Sequence, residues 1–201
     1  MVKSGKDYID KKSIKAELDQ WQWPLYFFDF ETNSEPIPRF KGDKPYTPIP
    51  FQYSCHVWKS PGSELEHFEY LHIDETDPRE PLVKSIIKNF GKKGSVVAYS
   101  KGYEAMVLTN LADRFPKHKK ALLFIKSRLV DPLPIIKNNI YLKEFKGSFS
   151  IKKVAPALIG EKLSYKDLDV ADGTEAQAVV EGLITLAMVG LVKWLFRLYH
   201  Y

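Results

Sequence analysis

Leu25-Tyr-Phe-Phe-Asp-Phe-Glu-Thr32 is the stretch on which the reading of this chain turns. Its aromatic residues, Tyr26, Phe27, Phe28 and Phe30, favour extended backbone, and Pro24 places the run just after a turn, so a central strand is predicted. Side chains alternate between the faces of a strand, which sends Asp29 and Glu31 out of one face with Cα atoms roughly 6.5–7 Å apart. Like charges on one apolar face repel each other and resist burial unless a cation lies between them. Divalent ions with oxygen ligands meet that need, and a pair of them about 3.5–4 Å apart suits phosphodiester cleavage. An edge strand with two solvated acids fits the same residues, and Asp-x-Glu spacing alone does not separate the two readings.

The 201 residues, 44% hydrophobic and 13% aromatic, suffice for one domain with an ordinary core, taken as 1–201 with a helical lead-in over 1–20. Thirty Lys and Arg against 25 Asp and Glu leave a charge of +5, which suits a polyanionic partner without requiring one. The single Cys55 excludes an internal disulfide, and without an export-type start the expected location is cytoplasmic. The longest uncharged run, 182–192, is about half of a bilayer span, so a buried helix and no membrane are expected.

Outward from the acidic strand, Ile14, Leu18 and Trp21 at helical spacing predict a short amphipathic helix before it. Residues 33–50 carry Pro36, Pro38, Pro45, Pro48 and Pro50, which predict an ordered loop lying over the acids and shaping a substrate groove. Residues 49–58 and 65–72 predict a strand pair around the Pro61-Gly62 turn, completing an antiparallel meander of three strands. A helix from about 77 to 90, a strand over 95–99 and a helix from Lys101 follow. Glu104 begins the apolar face of that helix. A buried charge needs a partner, which makes Glu104 a third site acid, while the helix macrodipole explains an acid there equally. A helix over 121–126 leads to a last strand ending at Asp131, where a capping role is expected. The turn at Gly147 feeds another helix, and its Ser148, Ser150 and Lys152 serve either as caps or as a phosphate receptor. From Thr174 onward Val180, Ile184, Ala187, Met188, Leu191 and Leu195 recur at helical spacing on one inward stripe.

This order of elements, with Asp29-Phe-Glu-Thr32 on the first strand and Tyr99-Ser-Lys-Gly-Tyr-Glu104 entering a helix, resembles the ribonuclease H-like fold of the DnaQ-type 3′–5′ exonucleases. These are the DEDD nucleases, whose acids hold two metal ions. The second motif is usually Asn-x-x-Phe-Asp, so Ser100, Tyr103 and Glu104 stand in for its typical residues. Pro48-Ile-Pro-Phe-Gln-Tyr-Ser54 and Gly147-Ser-Phe-Ser-Ile-Lys152 are similar to a bacterial branch of that superfamily. The resemblance implies an α/β fold with a central mixed sheet, antiparallel in its first three strands and then parallel, with helices on both faces. It also implies Mg²⁺ or Mn²⁺ at Asp29, Glu31 and Glu104, with Thr32, Ser100, Tyr103, Ser148 and Lys152 against single-stranded DNA or RNA.

The third motif departs from this pattern. Thr185-Leu-Ala-Met-Val189 matches the branch, and aligning on it puts Val180 at the family's tyrosine and Ile184 at its aspartate. The implied activity is a metal-dependent 3′–5′ exonuclease on DNA or RNA that is weak or inactive. The alternative is a non-catalytic nucleic-acid-binding module with a nuclease-derived fold.

Overall fold

The computed structural model describes residues 7–160 and 175–198, with side chains from 184 onward in the second segment. A two-residue strand, β1 (Tyr8–Ile9), precedes α1 (Lys11–Leu18), which Asp10 caps by accepting from the Ser13 N–H. The meander follows as β2 (Leu25–Asn33), β3 (Ile49–Trp58) and β4 (Leu65–Leu71). Next come α2 (Arg79–Asn89), β5 (Ser95–Val97), α3 (Gly102–Arg114), α4 (Lys119–Ser127) and β6 (Leu129–Val130). The chain continues through α5 (Pro132–Asn139), β7 (Ile140–Tyr141), α6 (Ile151–Ile159) and α7 (Glu175–Arg197).

The main sheet has the order β4-β3-β2-β5-β6, with β2 antiparallel to β3, β3 antiparallel to β4, and β5 and β6 parallel to β2. Alternation along β2 divides its side chains between two layers. Tyr26, Phe28 and Phe30 pack with Tyr53, Cys55 and Val57 of β3 beneath α2, α3 and α4. Leu25 and Phe27 pack with Trp58 and Val97 beneath α6 and α7. Because both faces are covered, β3 is buried almost throughout, whereas β4, at the edge, exposes Glu66, His67 and Glu69. A third cluster ties α1, α5, α6 and α7 together through Ile14, Leu18, Ile136, Leu158 and Leu191.

The chain is therefore α/β, with a mixed central sheet between helical layers. None of the described helices is long and apolar enough to cross a membrane. The connection from α2 to β5 needs Gly94, whose φ is +92° and whose added Cβ would lie 2.0 Å from the Pro24 carbonyl oxygen.

Candidate active site

The parallel register pairs Leu25 with Ser95, Tyr26 with Val96 and Phe27 with Val97, and there β5 stops while β2 runs on to Asn33. Asp29 thus stands just past the end of β5, where the chain turns through Ser100 into α3. Asp29 therefore lies at the carboxyl ends of two neighbouring parallel strands, the end of the sheet at which open α/β folds commonly place their ligands. The first turn of α3 delivers Glu104, only 4% exposed, to this end. The Asp29 and Glu104 carboxyls lie within hydrogen-bonding reach of each other, and Glu104 Oε2 is buried without a partner.

Both carboxyls hold their protons unusually tightly. Burial, followed by the charges of Glu104 and Glu31, pushes Asp29 up to about 8. Burial does the same to Glu104, opposed by its own backbone N–H and reinforced by the charge of Asp131, bringing it to about 7. At neutral pH the metal-free pair shares a proton. Glu31, from the same face of β2, acts on Asp29 through its charge. Among the described residues no group of three or more His, Cys, Asp or Glu side chains is placed to hold a metal ion. The tight feature is therefore the pair.

The pairing of β2 with β3 shifts between Glu31 and Thr32, so that Thr32 lies opposite Pro50. Thr32 Oγ1 and the Tyr103 hydroxyl are hydrogen-bonded at the rim, where the Tyr103 ring is 42% exposed. Ser100 has φ +61°, in the left-handed region. Its N–H and that of Lys101 each donate to the Asp131 carboxylate at 3.0 Å, and Asp131 also accepts from the Leu133 N–H at 2.9 Å as the N-cap of α5. The expected capping role of Asp131 is observed, with the added task of fixing the turn into α3.

Ser148 and Lys152 lie at the start of α6. Ser150 occupies the N-cap position, yet its side chain makes no capping bond, and Ser148 Oγ accepts from the Ser150 N–H at 3.3 Å. The Tyr99 hydroxyl donates to the Phe149 carbonyl, which ties this turn to the exit from β5. A cavity of ≈ 420 Å³ lies beside the Ser100 turn, with Tyr99, Lys137, Phe149 and Ser150 in its walls.

On the Asp29 face the sheet meets α7. Thr185 is fully buried, and its Oγ1 is 2.9 Å from His56 Nδ1 and 3.2 Å from Ser54 Oγ. Ser54 is the cross-strand partner of Asp29, so α7 passes one strand away from the pair. Ile184 is half-buried against the Leu25 and Phe27 cluster. The Val180 side chain lies outside the described residues. His56 stacks on His67 at 4.3 Å, and burial followed by the charge of His67 pushes it down to about 4, so it is neutral at pH 7. The network of Ser54, His56, His67 and Thr185 was not anticipated from the sequence. Its signal was there in Gln52, Ser54 and His56, polar at every second position of a strand otherwise apolar.

The proline-rich segment, expected over the acids, is anchored at its centre by arginines of α2 and α3. Asp43, at its centre, accepts from Arg79 at 2.8 Å and Arg114 at 2.9 Å, while Asp77 holds the same two arginines. Arg114 ends α3 ten residues from Glu104, about 15 Å along the axis. A doubly held carboxylate thus draws the centre of the loop to the far end of α3, while Thr47 and Pro48 run beside Val107.

No curated protein and no solved structure matches the chain. The model of the family described as a domain of unknown function (DUF2779) matches residues 26–150. That stretch spans the whole main sheet from Tyr26, with Asp29, Glu31 and Glu104 inside it. It is more than half of the sequence, and the chain belongs to this family.

Proposed function

We propose that the chain is a metal-dependent nuclease domain of the DnaQ-like 3′–5′ exonuclease type, with a ribonuclease H-like fold. It acts on single-stranded DNA or RNA, slowly or not at all. The observation that carries this reading is the buried Glu104 carboxylate, one oxygen unpartnered, held against Asp29 where β5 ends beside β2. Such a pair ionises fully at neutral pH only with a cation beside it. Asp29 and Glu104 would hold the ion with Glu31 alongside, and Mg²⁺ or Mn²⁺ would supply Lewis-acid stabilisation for phosphodiester hydrolysis.

The chain's own residues do the rest. The hydroxyls of Thr32 and Tyr103 meet the substrate at the rim, and the exposed Tyr103 ring offers a stacking surface to a base. Asp131 fixes the turn that aims Glu104 at Asp29. Two further observations support the fold assignment. The strand order places three antiparallel strands beside two parallel ones, as the resemblance implies. Ser100 adopts a left-handed conformation at the position of the family's usual Asn, a residue that tolerates this region better than most.

The second reading is the non-catalytic binding module. Ile184 favours it, because an apolar side chain stands where the family places an aspartate. The discriminating experiment incubates a labelled single strand with Mn²⁺ and either the natural chain or the Ile184→Asp, Val180→Tyr double variant. The nuclease reading expects 3′ trimming that the double variant accelerates by about 10²–10⁴. Retention of the strand without trimming by both proteins assigns the binding module, and neither retention nor trimming removes both readings.

A further inference from the structure

At the other end of β3, well away from the acids, a cavity of ≈ 340 Å³ lies between the β3–β4 hairpin and the last turns of α7. Its walls include Trp58, Pro61 and Gly62 on one side and Lys193, Phe196 and Arg197 on the other. Trp58 is 5% exposed, and its Nε1–H is buried without an acceptor. Buried indole N–H groups ordinarily find one. Lys193 Nζ sits 5.0 Å from the centroid of the Trp58 ring. Burial, followed by the charge of Arg197, holds the Lys193 ammonium below its usual range, so two like charges meet here.

Nothing among the described residues balances them. Glu66 of the hairpin is paired with Lys59. Of the polar side chains lining the cavity, the Ser63 hydroxyl is engaged with the Ser60 backbone, while the Trp58 indole, the Lys193 ammonium and the Arg197 guanidinium can only donate. A solvent-open cleft with two cations beside apolar walls is complementary to a compact oxyanion, and the guanidinium fork suits the tetrahedral oxygens of phosphate. Trp58 lies four residues beyond Ser54 on β3, on the same face. The cavity is thus about 13 Å along the strand from the Asp29 level.

We infer that the cavity lined by Trp58, Lys193 and Arg197 is an anion site for a phosphate group, either free or carried on a nucleic-acid backbone. It is independent of the nuclease reading, since it uses none of the acidic residues.

The test titrates the chain, in metal-free buffer, with inorganic phosphate and separately with a short thymidine oligonucleotide, following heat and tryptophan fluorescence. Lys193→Gln and Arg197→Gln, on accessible side chains, should each weaken phosphate binding about tenfold, the size expected for losing one charge-assisted hydrogen bond. Lys193→Arg should retain it, Trp58→Phe should weaken it while keeping an aromatic wall, and Asp29→Asn should leave it unchanged. An oligonucleotide that displaces phosphate supports the site with a nucleic-acid backbone as the source. Phosphate binding without oligonucleotide binding supports it with a free anion as the source. Absence of phosphate binding at millimolar concentration overturns the inference. So does binding that Lys193→Gln and Arg197→Gln leave intact in variants whose circular dichroism matches the natural chain.

Discussion

Ser100 holds a backbone conformation that disfavours an L side chain, and four residues later Glu104 keeps a buried oxygen without a partner. Only the Ser100 N–H is engaged, by Asp131, and its side chain is exposed, so the conformational cost is not repaid by a hydroxyl contact. Ser100→Gly should therefore stabilise the fold by about 0.5–1 kcal/mol, read as a rise in the denaturant midpoint with an unchanged slope. An unchanged or lowered midpoint would mean that the hydroxyl does more than the structure indicates. The acids make a prediction of opposite character. Their folded values, about 8 for Asp29 and about 7 for Glu104, exceed ordinary carboxylate values near 4, so between these limits the folded state binds more protons than the unfolded state. Metal-free stability should then fall as pH rises from about 4 through about 8, by on the order of a few kcal/mol. Asp29→Asn should flatten that slope. Equal pH dependence in both proteins, measured by urea unfolding, would contradict the assigned burial of the pair.

The elements show which parts of a sequence speak for themselves. The meander was legible because β2, β3 and β4 are bounded by proline and glycine and carry β-branched and aromatic residues. Helix α3 was legible from its apolar period, and Glu104 from its place on that face. Helix α5 was not, since Pro132 and Pro134 look like breakers. Both fall in the first turn, where the missing N–H groups cost nothing, and Asp131 caps the start. The path of the 34–48 loop was hidden for a different reason. Prolines announce a loop but not its destination, which depends on Asp43 meeting Arg79 and Arg114 from distant segments. The side chain of Asp43 is only 3% exposed, so Asp43→Ala leaves two half-compensated arginines and should cost about 3–5 kcal/mol. Faster proteolysis within 34–48 should accompany that loss. A variant with unchanged stability and cleavage would show that the loop is anchored by something else.

Across the whole molecule, the sheet positions two unlike regions on one face. Near the Asp29 level the fold gathers buried carboxylates, and about four residues along β3 it gathers cations beside Trp58. The pairing of strands could be read from local pattern, while the closeness of Asp29 to Glu104 rests on β5 ending early, a register fact no local pattern contains. Within Thr185-Leu-Ala-Met-Val189, Thr185 takes up a buried role against Ser54 and His56. We propose that Asp29 and Glu104 together hold a divalent cation. Titration calorimetry with Mn²⁺ near neutral pH tests it most directly, on the natural chain and on Asp29→Asn and Glu104→Gln. One bound ion, released protons on binding, and loss of that binding in either variant are expected. Absence of Mn²⁺ binding by the natural chain, or binding that both substitutions leave unchanged, would contradict it.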